Sequence, residues 1–196
     1  MKSLLILISF STTFLLSSGQ SYKDRAFVLA VKEVVNSIAT GDSVRLNRWI
    51  DQKTGVYILS KYQQCGAYNH MENLGFSAAN FDNDSSLGAS DFYTITFEIR
   101  PKYNCKEKRW QQCGIFVDSV KTDRLLSTTV LNDRCMDSSY PFGFIRKVQK
   151  VEESSRRVVI ANNKGKSFIF YLSYLEDKWQ LTVVDGLTTL CSFSGT

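Results

Sequence analysis

The sequence predicts an α+β domain in which an N-terminal pair of helices packs on a curved antiparallel sheet. One apolar stripe of helical period lies near the start of the chain, over Asp24–Thr40. Near the end, Arg156–Asp185 contains three β-branched and aromatic runs separated by turn signals at Asn162–Gly165 and Glu176–Asp177. A sheet must bury its apolar face against another layer, so we expect the helices to cover it.

The first nineteen residues are typical of a secretory signal peptide. Lys2 supplies a positive start, Leu4–Leu16 is an apolar run, and Ser17–Gly19 offers small residues for cleavage. A retained membrane anchor is the alternative, but the run is short for a spanning helix. No cysteine follows the run, which disfavours lipid attachment. We therefore expect one soluble domain over residues 20–196, located in the periplasm or outside the cell.

The N-terminal elements follow from spacing and caps. The helical stripe consists of apolar residues at three- and four-residue spacing: Phe27, Val28, Val31, Val34, Val35 and Ile38. Gly41 follows the last of them, at a position where a left-handed helix cap is favoured. Asp42 or Ser43 can cap a second, shorter helix that ends at Ile50. After Gly55 we expect a short strand.

The middle of the chain mixes loop and strand signals. Tyr62–Ser90 is rich in Asn, Ser and Gly and predicts a long irregular segment, which in a compact domain is often functional. Asp91–Arg100 alternates apolar and polar residues and predicts a strand. Gly114–Val120 predicts another strand, whereas Lys121–Leu131 fits either a short helix or a strand. Phe142–Val151 predicts a strand that leads into the final three.

The cysteines indicate disulfide support. Export would place them in an oxidising compartment, so some of them should pair, although the sequence does not determine the pairing. The candidates are Cys65, Cys105, Cys113, Cys135 and Cys191. We rank Cys105 with Cys113 first, because these residues flank a short charged segment. Cys65 with Cys113 is a second possibility, and Cys191 can staple the C-terminal tail to the body.

Charge and histidine content argue against several classes of partner. The formal net charge is only +5 and the basic residues are scattered, which is not the pattern of a nucleic-acid-binding protein. The densest basic group, Lys102–Arg109, contains an acid and fits a solvated loop. His70 is the only histidine and Cys-x-x-Cys is absent, which disfavours zinc. We expect no cofactor, no metal ion, no nucleic acid and no stable membrane insertion.

Both ends of the chain carry a family resemblance. Arg45–Asp51 followed by Thr54–Ile58, together with Tyr171–Leu175 followed by Lys178–Asp185, resembles uncharacterised exported proteins of Bacteroidetes-type bacteria. The layout resembles the NTF2-like (cystatin-like) α+β cone, a fold that hosts enzymes, ligand carriers and structural modules. The resemblance implies that an enzyme of this fold would use an Asp and a His in its pocket. The one histidine of this sequence, His70, lies in the irregular segment, so this catalytic pair does not carry over. The long insertion before Asp91 also departs from the compact fold.

Aromatic residues on the predicted strands give the leading functional hypothesis, a non-enzymatic exported binding or interaction module. In a cone-shaped sheet, some of them would face a cavity and hold an apolar or sugar-like ligand, or else they fill the core. The candidate ligand-binding residues are Tyr57, Tyr93, Tyr171 and Trp179, with the acids Glu98 and Asp185. The partner, a small ligand or a protein, is not identified by the sequence.

Two alternatives belong to other functional classes. A secreted hydrolase would use Cys65 with His70 as its base, or Glu98 and Asp185 as a pair of acids. The simpler interpretation is a disulfide-bonded Cys65 and a solvated His70. The third hypothesis is a structural subunit of a surface assembly.

Overall fold

The computed structural model describes residues 24–63, 65–75, 94–98, 101–118, 124–131, 140–162 and 166–191. The helices in these ranges are α1 (residues 24–40), α2 (Ser43–Asn47), α3 (Leu125–Leu131) and α4 (Phe142–Glu153). The strands are β1 (Val56–Tyr62), β2 (Cys65–Met71), β3 (Ile95–Glu98), β4 (Tyr103–Asn104), β5 (Arg109–Trp110), β6 (Gly114–Asp118), β7 (Ser155–Ala161), β8 (Ser167–Leu175) and β9 (Lys178–Asp185). None of these helices combines the length and apolar character that a membrane span requires.

The predicted α+β class is confirmed, but the sheet is mixed rather than antiparallel. Seven strands are ordered β2-β1-β9-β8-β7-β6-β3, and β4 pairs with β5 in a separate hairpin. Strand β1 is parallel to β9 and β3 is parallel to β6, whereas the other neighbours are antiparallel. The prediction of an antiparallel sheet was wrong because local patterns show the strands but not which distant strand pairs with the end of the chain.

The sheet buries residues on both of its faces. On the first, which we call the α1 face, sheet residues pack in one cluster with residues of α1 and with Leu46: these include Phe27, Val31, Val34, Ile58, Val158, Phe170, Leu172, Trp179 and Leu181. On the second, the α4 face, the cluster contains residues of α3 and α4: these include Tyr57, Leu126, Val130, Val148, Val151, Val159, Ile169, Tyr171 and Val183. Strand β8 contributes to both clusters, as expected for a strand apolar on both sides.

Helix α1 ends and helix α2 begins where their caps predict, but α2 ends at Asn47 rather than at the predicted Ile50. Helix α1 is followed by Gly41 at φ +67°, the left-handed conformation that a glycine adopts without strain. The Asp42 side chain accepts a hydrogen bond of 2.9 Å from the Arg45 backbone N–H and so caps α2. The Arg45 guanidinium donates two hydrogen bonds of 2.8 Å to Glu33 of α1, which ties the two helices together.

The predicted strand over Phe142–Val151 was wrong, because this segment forms helix α4. Its buried residues Val148 and Val151 are one turn apart, and the exposed residues between them are basic or polar. This spacing has the helical period, although the β-branched composition favours a strand. Because of this error, the predicted fold lacked the helical layer that covers the second face of the sheet, the face that the N-terminal helices do not occupy.

For Lys121–Leu131 the sequence allowed either a helix or a strand, and the described part of this segment is helix α3. A buried acid of α4, Glu152, caps the start of α3. Glu152, 6% exposed, accepts hydrogen bonds from the backbone N–H groups of Leu126 (2.9 Å) and Ser127 (3.2 Å). Its other oxygen accepts from the Ser127 hydroxyl at 2.5 Å. A carboxylate is favoured at a helix start because the unpaired N–H groups there carry partial positive charge.

The long segment Tyr62–Ser90 is not wholly irregular, because β2 lies inside it. Gln63 at φ 52° makes the turn out of β1, and β2 then pairs antiparallel with β1 along its length. Strand β2 lies at the sheet edge and contains no β-branched residue and no regular apolar alternation, so it lacks the pattern that signals a strand. Residues 76–93 lie outside the described ranges.

Candidate ligand site on the α4 face

A row of polar and aromatic residues crosses the α4 face. Val183 of β9 is the register partner of both Tyr57 of β1 and Tyr171 of β8. Tyr57 is in turn opposite His70 of β2, and Tyr171 is opposite Arg157 of β7. Directly paired residues project from the same side of a sheet. We call His70, Tyr57, Tyr171 and Arg157 the polar row.

Arg157 forms a buried ion pair with Asp185. Their side chains are 3% and 0% exposed, and Nη2 lies 3.7 Å from Oδ2. The guanidinium carbon also lies 6.0 Å from the centre of the Tyr171 ring. Because a charge removed from water is costly without a counter-charge, each member of the pair makes the burial of the other possible.

Asp185 also holds the C-terminal tail in place. One carboxylate oxygen accepts hydrogen bonds from the backbone N–H groups of Leu187 (2.8 Å) and Thr188 (2.9 Å), and the other accepts from the Thr188 hydroxyl at 2.6 Å. Leu187 is 2% exposed and packs in the cluster of the α4 face. The acid therefore couples the tail to the polar row.

Tyr57 carries a buried hydroxyl that makes no hydrogen bond within the described part of the chain. The residue is 0% exposed, and its burial raises the pKa of the Tyr57 phenol above the ordinary value. The hydroxyl therefore keeps its proton at neutral pH and is a hydrogen-bond donor. Trp110 Nε1, in the same packed cluster, is a second buried donor without a partner in the described ranges. A buried polar group left unsatisfied costs about 1–3 kcal/mol.

Half-buried aromatic rings connect Tyr57 with the protein surface. The Tyr57 ring centre lies 6.0 Å from that of Tyr68, which in turn lies 5.8 Å from Tyr140 and 6.2 Å from Phe144. The rings of Tyr140 and Phe144 are 5.2 Å apart. We call Tyr68, Tyr140 and Phe144 the aromatic cluster. The aromatic cluster is partly exposed to solvent and packs through Tyr68 against Tyr57, whose hydroxyl is buried.

His70 is a fixed part of this wall. Its Nε2 lies 2.7 Å from the Thr54 carbonyl oxygen, and because a carbonyl only accepts, Nε2 carries the proton. The imidazole ring centre is 4.6 Å from that of Tyr57. Gly55, at φ +67°, fits beneath it, since a Cβ there would contact the His70 ring and lie 2.8 Å from the Met71 carbonyl oxygen.

The thiol–imidazole arrangement is absent. Cys65 is disulfide-bonded, as the simpler interpretation predicts. Cys65 and His70 are also five residues apart on one extended strand, a separation of roughly 16 Å that places them on opposite faces. Cys65 therefore cannot act as a nucleophile with His70 as its base.

The preferred disulfide pairing, Cys105 with Cys113, was wrong. Cys105 pairs with Cys191 across a sequence separation of 86, which confirms that Cys191 staples the tail to the body. Cys113 is free and exposed, which also excludes its pairing with Cys65, and Cys135 lies outside the described ranges. Because the β4–β5 hairpin is antiparallel, Cys105 lies in its turn while Cys113 lies beyond its open end.

The sheet brings together three of the predicted ligand-binding residues, Tyr57, Tyr171 and Asp185. Trp179 does not join them, because it packs on the α1 face with its ring 4.7 Å from Phe27 and 5.2 Å from Tyr174. Trp179 and Tyr171 therefore lie on opposite faces of the sheet and cannot line the same site. Tyr93 lies outside the described ranges.

The predicted pair of acids, Glu98 and Asp185, was also wrong. Glu98 ends β3 at one edge of the sheet, opposite Asp118 of β6, whereas Asp185 ends β9. Four strand spacings separate these two strands, or about 19 Å. Residues on strands that far apart cannot act together on one substrate bond in acid–base catalysis.

Sequence reasoning missed Arg157 and the aromatic cluster. Arg157 had a usable signal, because it alternates with Val159 and Ala161 and the four residues that follow it, Val158–Ala161, are all apolar. A charge at such an inward position marks a buried ion pair. The aromatic cluster had no such signal, since its three rings come from β2, α4 and the residue two positions before α4.

Comparison of the chain with protein-family models, curated proteins and solved structures found no match. Within the described ranges, no three His, Cys, Asp or Glu side chains are grouped so that they could hold a metal ion. The function must therefore be argued from the site.

Proposed function

We propose that the chain is an exported, non-enzymatic binding module with an NTF2-like cone, which holds a small ligand between the aromatic cluster and the polar row. In this proposal, residues 1–19 are removed as a signal peptide and residues 20–196 act as one domain in the periplasm or outside the cell. The mixed seven-stranded sheet and the Cys105–Cys191 bridge support the proposal, since disulfides persist in oxidising compartments.

The buried Tyr57 hydroxyl carries the proposal. Ligand sites are mostly apolar and aromatic, with a few polar groups that fix orientation. The α4 face has this composition: the rings of the aromatic cluster lead to Tyr57, whose hydroxyl makes no hydrogen bond within the described ranges. A ligand acceptor bound there would remove the cost of that unsatisfied donor.

The positions of the reactive residues favour binding over hydrolysis. Cys65 is in a disulfide, His70 bonds a backbone carbonyl, and Glu98 and Asp185 are four strands apart. Asp185 is further committed to the tail and to Arg157. A hydrolase needs its nucleophile, base and stabilising donors within hydrogen-bond reach of one another, and these residues are not so placed.

Saturation-transfer NMR tests the proposal with methyl benzoate, phenol and methyl β-glucoside as probes. We expect at least one probe to receive saturation from the disulfide-bonded protein and to lose it in Tyr68→Ala. The matched control is Tyr62→Ala. Tyr62 ends β1, the strand that also contains Tyr57, and is 48% exposed. It lies five residues from Tyr57, an odd number, and therefore projects from the other face of the sheet. Equal loss in both variants, no transfer to any probe, or cleavage of methyl benzoate would contradict a non-enzymatic binding site here.

A further inference from the structure

We infer that the ligand is a neutral molecule with a planar apolar body and a hydrogen-bond acceptor, and that the Tyr57 hydroxyl binds the acceptor while the aromatic cluster contacts the body. This inference rests on the proposed function and specifies the chemistry of the same site. Three observations support it: the polarity of the unpaired groups, the charge balance of the polar row and the arrangement of the rings.

Two members of the packed apolar cluster on the α4 face, Tyr57 and Trp110, carry buried groups that can donate and have no partner within the described ranges. Tyr57 has its hydroxyl proton, and the indole of Trp110 donates and cannot accept. The principal buried acceptors nearby already receive hydrogen bonds: Asp185 from the tail, and Glu152 from the start of α3. A ligand that brings an acceptor can pair with these donors, whereas a ligand that brings only donors leaves both of their protons without a hydrogen bond.

The charge balance of the site favours a neutral ligand over an anion. Arg157, the buried cation of the polar row, lies 3.7 Å from Asp185, so its charge is already compensated. His70, the other nitrogen-bearing ring of the row, already donates its Nε2 proton to the Thr54 carbonyl, so that proton is not available to a ligand. A carboxylate entering the site would be buried against a neutral pair, and an ion without its own counter-charge is strongly disfavoured there.

The ring geometry favours a planar body. The rings of Tyr68 and Phe144 are inclined by only 24° at 6.2 Å, and Tyr140 closes the group from the side. All three residues are half-buried, so their edges meet solvent while the Tyr57 hydroxyl lies deeper. A flat apolar molecule extends such a group of rings by stacking or edge contact.

Three probes of similar size separate these features: methyl benzoate has a neutral acceptor, propylbenzene has none, and benzoate has a charged one. Dissociation constants are measured by NMR titration for the wild-type chain, for Tyr57→Phe and for the control Tyr62→Phe. We expect methyl benzoate to bind most tightly and to weaken about 3- to 10-fold in Tyr57→Phe, the range for one lost hydrogen bond. Propylbenzene should bind both proteins equally, and Tyr62→Phe should match the wild type.

The outcomes distinguish this inference from the proposed function. If propylbenzene binds as tightly as methyl benzoate, or if Tyr57→Phe changes nothing, the acceptor class is wrong while the binding module stands. If benzoate binds most tightly, the neutral class is wrong. If none of the probes binds, the proposed function fails with the inference. Should Tyr57→Phe not fold, the order of the three probes on the wild-type chain decides the matter alone.

Discussion

Two neighbouring arginines show how the two faces of the sheet differ. Arg156 projects to the α1 face, where its side chain is 32% exposed, lies 4.9 Å from the Phe27 ring centre and pairs with Asp24 at 3.3 Å. Arg157 projects to the α4 face, where its side chain is 3% exposed and pairs with Asp185. The first charge stays at the rim in contact with water, whereas the second is sealed inside. The same strand therefore supports a scaffold face and a polar interior.

This difference indicates where a function is built into the fold. On the α1 face, the core cluster consists of apolar and aromatic side chains, and the buried charged residues of the described ranges, Glu152, Arg157 and Asp185, all lie on the other side of the sheet. On the α4 face, Arg157, Asp185 and the Tyr57 hydroxyl occupy positions that apolar residues of similar volume would fill at lower cost. Natural proteins depart from local consistency mainly at functional sites. This difference supports the proposal that the ligand site lies on the α4 face and that the α1 face is scaffold.

Removal of the Cys105–Cys191 bridge, which ties the tail beside the α4 face, should have the largest effect. The bridge closes a sequence separation of 86, and the loop-entropy relation gives a loss of about 4.6 kcal/mol in the double variant Cys105→Ser, Cys191→Ser. Urea unfolding measures the loss. Cys113→Ser is the control, because Cys113 is free and exposed and its replacement should change stability little. A loss no greater than that of the control would show that the tail does not help to close this face.

Replacement of each arginine tests the contrast between the faces directly. Arg157→Met should cost about 3 kcal/mol, because it leaves the buried Asp185 charge without its cation. Three hydrogen bonds from the tail still stabilise that carboxylate, which holds the cost at the lower end of the usual range. Arg156→Met should cost about 1 kcal/mol or less, since that pair is exposed to solvent. Equal losses in urea unfolding would remove the distinction between a rim charge and an interior charge.

The elements with strong local signals could be predicted from the sequence. The stripe of α1, the cap at Asp42 and the three final strands follow from periodicity and turn chemistry, and the turn at Glu176 and Asp177 has positive φ at both residues, as a tight hairpin turn requires. Helix α4 was mistaken for a strand because β-branched composition outweighed its 3.6-residue period. Parallel pairing of β1 with β9 has no local signal at all.

The site could be predicted only in part for the same reason. Tyr57, Tyr171 and Asp185 follow from strand position and residue type, but which face each of them occupies depends on the register between distant strands. Trp179 and Tyr171 lie on the same predicted meander, yet Trp179 is opposite Tyr174, three residues from Tyr171 along β8, so strand alternation places them on opposite faces. Arg157 gains its partner only through the order of β7, β8 and β9.

Tyr57→Phe should have the smallest effect at neutral pH and a distinct effect at alkaline pH. Removal of an unsatisfied buried hydroxyl should leave the ligand-free protein as stable as the wild type, or more stable by up to about 1 kcal/mol. Burial raises the pKa of Tyr57 in the folded state above 10.0, so above that pH the folded state binds more protons than the unfolded state. Ionisation of Tyr57 therefore costs no stability below pH 10, and wild-type stability falls as the pH rises from 10 through the folded-state pKa.

Unfolding by urea at a series of pH values from neutral to strongly alkaline measures this loss as the difference between the wild type and Tyr57→Phe. The variant should lose stability less steeply above pH 10, because one buried phenol no longer titrates. Tyr62→Phe should follow the wild type, since the Tyr62 side chain is 48% exposed and its ionisation meets water in both states. Parallel curves for all three proteins would mean that the Tyr57 hydroxyl already has a solvent-like environment. The α4 face would then lose the one group that most sharply separates it from the α1 face.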